Sequence, residues 1–137
     1  MPTHTLLDEL GFCPAVSMGA AAWEDVPDEP GVYVIFDRAE VIYVGMAGRN
    51  GNGSLRQRLR SHANGSLVNM FAQYLLFNRI LDPANLPRSP QEAGLQCRAY
   101  IRDHCKARVR HTNDAAEARI VEKRLRKELE PALNGLQ

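Results

Sequence analysis

The chain has 137 residues, 45% hydrophobic and 24% charged, a composition that suits one globular domain with a real core and gives no apolar run long enough to span a bilayer. Met1-Pro2-Thr3-His4 lacks the basic region and apolar core of a signal peptide, and the odd, sparse cysteine set, Cys13, Cys97 and Cys105, fits a reducing cytoplasm better than a disulfide framework, so a cytoplasmic protein is expected. The net charge of +1 is unevenly laid out: residues 1–40 carry eight acids against one base, and the remainder sixteen bases against eight acids.

A short helix is expected over residues 3–12, with Leu6, Leu7 and Leu10 on one side. Residues 13–30 read as irregular, with Trp23 as a lid on the core and Pro27 and Pro30 keeping the approach to the first strand extended. Gly31-Val32-Tyr33-Val34-Ile35-Phe36 and Val41-Ile42-Tyr43-Val44-Gly45 are β-branched and aromatic runs, and Asp37-Arg38-Ala39-Glu40 between them supplies a hairpin turn. Side chains alternate along a strand. An odd loop such as Asp37-Arg38-Ala39 would put Tyr33 directly opposite Tyr43 on one face, whereas an even loop or a bulge would split them.

Gly48-Arg49-Asn50-Gly51-Asn52-Gly53 predicts a loop, and Ser54 an N-cap for a helix over residues 55–63. Leu55 and Leu59 mark its buried stripe, Arg58 and His62 lie one turn apart beside it, and Arg60 points away. Arg56 and Arg58 flank the leucines equally, so spacing does not choose between them. No acid falls between Glu40 and Asp82, whereas Arg49, Arg56, Arg58, Arg60 and Arg79 do. Such a stretch fits a phosphate-rich partner, and it also fits a solvated helix face.

Residues 65–105 suggest two further helices. One is very apolar, from about 67 to 81, and carries Val68, Phe71 and Leu75. The other starts at Ser89-Pro90-Gln91-Glu92, a capping box with proline at the first helical position, and runs to about Cys105. Their apolar residues need cover from the core or from a second copy of the chain, so a homodimer through residues 65–105 is expected. The three cysteines, Cys13, Cys97 and Cys105, form no C-x-x-C pair, and with His104 and His111 they match no familiar zinc spacing.

A third strand is expected over residues 106–112, with Lys106, Arg108 and Arg110 on a basic face and Ala107 and Val109 on a buried one. The last helix opens at Asp114 with Glu117 three residues on, and ends before Pro131. Its apolar stripe is Ala118, Val121, Leu125 and Leu129, with Arg119, Lys123 and Arg126 on the solvated face. Glu122 falls within the stripe. A buried carboxylate there needs a base such as Arg58, a metal ion, or a cleft.

Gly31-Val32-Tyr33, Tyr43-Val44-Gly45, the arginine helix, Glu122 and Pro131-Ala132-Leu133-Asn134, in this order, resemble the GIY-YIG nuclease family, with valine for isoleucine in both triplets. The resemblance covers roughly residues 27–63 and 106–134. It implies an α+β fold in which a three-stranded antiparallel sheet is flanked by helices. Here residues 1–26 would be an N-terminal extension and residues 65–105 a helical insertion in a single nuclease domain. It further implies a metal-dependent endonuclease acting on nucleic acid, most readily DNA. Glu122 would hold one divalent cation, Mg²⁺ or Mn²⁺, and Arg58 the scissile phosphate. Tyr33 would be general base or orient the attacking water, assisted by Tyr43, with His62 helping in proton transfer. Gly31, Gly45 and Asn134 would support the site.

The residue chemistry agrees. A hard cation wants carboxylate oxygen and keeps most of its waters, and arginine offers a planar fork to phosphate. Arg49, Arg56, Arg60, Lys106, Arg108 and Arg110 are candidate nucleic-acid contacts. Two other classes of function compete: a binding module on the same fold that does not cut, and an interaction domain docking through the helix at 67–81.

Overall fold

A computed structural model describes residues 2–19, 23–48 and 53–134. The fold is α+β, built on an antiparallel sheet in the order β1-β4-β2-β3. The strands are β1 Val16–Ser17, β2 Gly31–Asp37, β3 Glu40–Ala47 and β4 Cys105–His111. Every residue of β2 is buried, because it pairs on both edges and is covered on both faces. The sequence predicts three strands, and the described residues form four. The extra one, β1, pairs Val16 with Ala107 and Ser17 with Lys106, and two residues are too few to show a period.

One face of the sheet presents Tyr33, Ile35, Tyr43, Ala107 and Val109 to α2 (Leu55–Ala63), α3 (Met70–Leu75) and α4 (Pro90–His104). The other presents Val32, Val34, Phe36 and Val44 to α1 (Thr3–Glu9) and α5 (Ala115–Leu129). The helix starts follow the sequence. Ser54 Oγ accepts from Gln57 N at 3.1 Å, Ser89 Oγ from Glu92 N at 3.1 Å, and Asp114 Oδ1 from Glu117 N at 2.8 Å. Leu55 and Leu59 are fully buried and pin α2 to the sheet, each such side chain contributing about 1.5–3 kcal/mol.

The expected helix over 67–81 is shorter and broken. α3 begins only at Met70, and from Leu76 to Ile80 the chain widens into a π-turn. That turn carries Arg79 to the hairpin tip, where Nη1 lies 3.2 Å from Asp37 and Nη2 2.8 Å from Glu40. Most of the apolar residues expected to seek a partner are covered within the chain: Phe71, Ala72, Leu75, Leu76, Ala93, Cys97 and Ile101 are buried. Val68, Phe77 and Leu95 are exposed.

The hairpin corrects the expected pairing of the tyrosines. Its turn has two residues, Arg38 and Ala39, with Asp37 paired to Glu40 and Phe36 to Val41. An even turn alone would send Tyr33 and Tyr43 to opposite faces. A bulge intervenes, however: the register jumps so that Ile35 pairs with Tyr43, leaving Ile42 as the extra residue. The two departures cancel. Tyr33 and Tyr43 share a face, but diagonally, and Tyr33 stands opposite Gly45.

Candidate active site

The site lies where the edge strand β3 loses its cover. Along its first part the C-terminal segment pairs with it: Leu133 N donates to Ile42 O at 2.8 Å. Asn134 then stands in for a strand neighbour. Its Oδ1 accepts from Val44 N at 2.7 Å, and its Nδ2 donates to Val44 O at 3.0 Å. Both bonds are buried, and they satisfy an edge that would otherwise expose backbone groups. One residue further on, Gly45 and Met46 open into a cleft of about 340 Å³. Tyr33 and Tyr43 from the hairpin, Arg58 and His62 from α2, Phe71 from α3, and Glu122 and Arg126 from α5 line it.

Gly45 makes the arrangement possible. A Cβ there would fall 2.4 Å from the Tyr33 hydroxyl, so the ring lies across the glycine where any side chain would collide. Gly31 is equally constrained, since a Cβ would meet Arg110 O at 2.2 Å and Leu55 Cδ1 at 2.7 Å.

Tyr33 is 1% exposed, and its Oη lies 2.8 Å from His62 Nε2. The Tyr43 ring sits 6.3 Å from it. Phe71 closes the apolar side, with its centroid 4.9 Å from His62 and 5.2 Å from Tyr43. Burial pushes the Tyr33 phenol well above its usual range, Tyr43 adds to this, and Arg58 pulls the other way. Burial likewise pushes His62 down to about 3, with the Arg58 guanidinium adding to the fall. At neutral pH the pair is therefore a protonated phenol and a neutral imidazole.

His62 Nδ1 is buried without a hydrogen-bond partner. An orphaned N–H is the rarer and costlier kind of orphan. The favoured tautomer thus has Nε2–H donating to Tyr33 Oη and a bare Nδ1. His62 and Arg58 then both favour a developing phenolate, and the phenol proton is free to face the cleft.

Among the described residues lining the cleft, Glu122 is the one carboxylate. Its side chain is 14% exposed, and its cation is not Arg58 but Arg126, whose Nη2 stands 3.8 Å from Oε2. Among the described residues no group of three or more His, Cys, Asp and Glu could hold a metal ion. The donor set of the cleft is therefore one carboxylate facing open space. That suits a hard cation such as Mg²⁺, which binds through one or two carboxylates, keeps several waters and completes its shell with substrate oxygens.

The structure separates the arginines that spacing left equivalent. Arg58 lines the cleft, while Arg56 is tied to the preceding segment through Val26 O at 3.0 Å and Glu24 O at 3.3 Å. Arg108, a candidate nucleic-acid contact by sequence, is 4% exposed. It is bonded to Asp8, to Cys13 O at 2.8 Å and to Phe12 O at 3.2 Å. The alternation along β4 is as predicted, but α1 and α5 cover its basic face, so Arg108 is an internal anchor. Arg110 pairs with Glu117 at 3.1 Å. Arg60 and Lys106 are exposed, and Arg49 lies outside the described residues.

Six residues that line the cleft were not among the sequence candidates, Phe71 and Arg126 among them. Phe71 reads as ordinary core. Arg126 reads as part of the solvated face of α5, whereas it is half-buried beside Glu122. Its position four residues after Glu122 was the available signal.

No protein-family profile matches the chain, and no curated protein does. Among solved structures, the chain is similar to the magnesium-bound GIY-YIG N-terminal endonuclease domain of UvrC from Thermotoga maritima, at 22% identity over 81% of this chain and 89% of that one, TM-score 0.45. It is similar also to a tyrosine-to-phenylalanine variant of that domain, at 21% identity over 81% and 89%, TM-score 0.46. An asparagine-to-alanine variant gives 22% identity over 81% and 88%, TM-score 0.45.

Proposed function

We propose that the chain is a divalent-metal-dependent endonuclease that hydrolyses phosphodiester bonds in nucleic acid, most readily DNA. The observation that carries this reading is convergence. Two tyrosines from a hairpin, an arginine and a histidine from α2 and a lone glutamate from α5 meet in one cleft of about 340 Å³ at a strand edge. They are the residues that the motif resemblance singles out.

Arg58 would grip the scissile phosphate through two oxygens of its fork and hold the charge that builds there. Tyr33 would orient the attacking water with its hydroxyl. It would accept a proton only after losing its own, and His62 Nε2–H and Arg58 favour that ionised form. Tyr43 would fix the position of the Tyr33 ring from the same face. Glu122 would hold Mg²⁺ or Mn²⁺, which, when bound, would supply electrostatic stabilisation to the reacting phosphate. Arg60 and Lys106 are free to contact flanking backbone, and Arg49 is retained on sequence grounds.

The burial of Tyr33 favours a second reading, a module that binds nucleic acid without cutting it, because a phenol held so far from ionisation is a poor base. Incubation with supercoiled, linear, single-stranded and branched DNA, and with RNA, in Mg²⁺, Mn²⁺ or EDTA separates the two. Cutting that needs the metal supports the enzyme. Salt-sensitive binding with no product under any condition supports the module.

The remaining proposals are a single domain over residues 1–137, a cytoplasmic setting, and a homodimer through the exposed Val68, Phe77 and Leu95. Sedimentation at high concentration tests the last, and a monomer would exclude it. Among the described residues, no helix is long and apolar enough to cross a membrane.

A further inference from the structure

The His62 imidazole packs against three rings. Its centroid lies 5.4 Å from that of Tyr33, 6.1 Å from Tyr43 and 4.9 Å from Phe71. Phe71 is the nearest of them, meets the imidazole at 66° and has no polar atom to offer it. Phe71 is fully buried and lines the cleft as His62 does, so removing its ring would enlarge the cleft around the imidazole. The helix that carries it, α3, lies outside the stretches covered by the motif resemblance. It is fixed to α2 beside His62, where Asn69 Nδ2 donates to Ser61 Oγ at 2.9 Å, and to α4, where Cys97 Sγ donates to Ala72 O at 3.7 Å.

We propose that Phe71 is a positioning residue of the site: by keeping water from the imidazole, it holds His62 in the tautomer that donates Nε2–H to Tyr33 Oη. The catalytic use of that tautomer rests on the nuclease reading. The other tautomer would bury an Nδ1–H that no group accepts, a costly orphan. Of the charged groups lining the cleft, Arg58 and Arg126 have no acceptor to give it, and Glu122 makes no bond to it. A water beside Nδ1 would accept that proton and remove the penalty. Nε2 would then accept from the Tyr33 hydroxyl, and the phenol proton would point at His62 instead of the cleft. An apolar ring packed on the imidazole denies that water its place. A helix outside the motif thus sets the direction of the hydrogen bond between two residues inside it.

The test reads the imidazole directly, then cleavage. Two-bond ¹H–¹⁵N correlation spectra of the labelled full chain show which ring nitrogen carries the proton, and the His62 signals are those missing from His62→Gln. Wild type should show a protonated Nε2 and a bare Nδ1 at neutral pH and still at about pH 5. In Phe71→Ala the two nitrogens should draw together at neutral pH, and the ring should be protonated at about pH 5. Its single-turnover cleavage at saturating DNA in Mg²⁺ should fall roughly 10- to 10²-fold, with DNA affinity unchanged, since Phe71 offers phosphate nothing. Phe71→Leu, which restores an apolar group, should recover most of the wild-type spectrum and rate. Leu75→Ala empties a fully buried position of the same helix that does not line the cleft. It should lower stability and leave both readouts alone. Should Phe71→Ala not fold, Phe71→Val opens a smaller gap and is read in the same way. The proposal is overturned if wild type carries the proton on Nδ1, or if the His62 nitrogens of Phe71→Ala match those of Leu75→Ala. A wild type that binds DNA and cuts none would overturn the nuclease reading and not the tautomer assignment.

Discussion

The molecule holds two gatherings of charged and phenolic side chains on the same face of its sheet, and they are built to opposite rules. At the hairpin tip Asp37 is 2% exposed and accepts from Arg79, Arg38 and the Tyr100 hydroxyl, while Arg79 also reaches Glu40. Each charge there has its opposite at hydrogen-bond distance. In the cleft, His62 Nδ1 has no partner, the Glu122 carboxylate meets its cation only at 3.8 Å, and Tyr33 is held far from ionisation. A completed network fastens the hairpin to the helices. An incomplete one leaves donors and acceptors for something that arrives later.

Substitutions can break this contrast. Arg58→Ala should lower cleavage about 10²–10³-fold with little change in the thermal midpoint, read by single-turnover kinetics and calorimetry. Asp37→Ala should do the reverse. It removes the buried acceptor that Arg79, Arg38 and Tyr100 share, leaving Arg79 only Glu40, and should cost about 3 kcal/mol of stability, measured by urea unfolding, while the activity of the folded fraction stays near wild type. Gly45→Ala should disturb both, since the added methyl must displace the Tyr33 ring; a destabilisation of about 1–3 kcal/mol is expected together with lost activity.

The pH dependence sharpens the contrast further. His62 titrates at about 3 when folded, against an ordinary value of 6.5. The folded form therefore binds fewer protons than the unfolded one between these values. The stability this confers is present above pH 6.5 and is lost as pH falls toward 3, at about 1.4 kcal/mol per pH unit. His62→Phe should flatten that acid slope in calorimetry across the same range. In the pH–rate profile of wild type no histidine inflection is expected near neutrality. The rate should rise into the alkaline range with Tyr33, and His62→Ala should move that rise to higher pH.

Much of the site was legible because its chemistry sits on regular elements. The i,i+4 spacing of Arg58 and His62 and the place of Glu122 in the stripe of α5 follow from helical period alone. What was not legible came from packing and register. The same face for Tyr33 and Tyr43 needed an even turn and a bulge together, and the bulge at Ile42 has no local signature. The choice of Arg58 over Arg56 came from the segment at 24–26, which captures Arg56. The basic alternation of β4 was visible, but the fate of Arg108 depended on α1 lying across it, a contact about 100 residues away in sequence. The π-turn that delivers Arg79 was hidden inside an apolar run that reads as plain helix.

The central claim is that Glu122 is the carboxylate on which phosphodiester hydrolysis depends. The most direct measurement is single-turnover cleavage of supercoiled plasmid in Mg²⁺ by wild type and Glu122→Gln, with DNA binding measured in parallel. The account predicts metal-dependent nicking by wild type and a loss of at least about 10³-fold in the variant, which still folds and still binds DNA. Nicking at an equal rate by both proteins would contradict it.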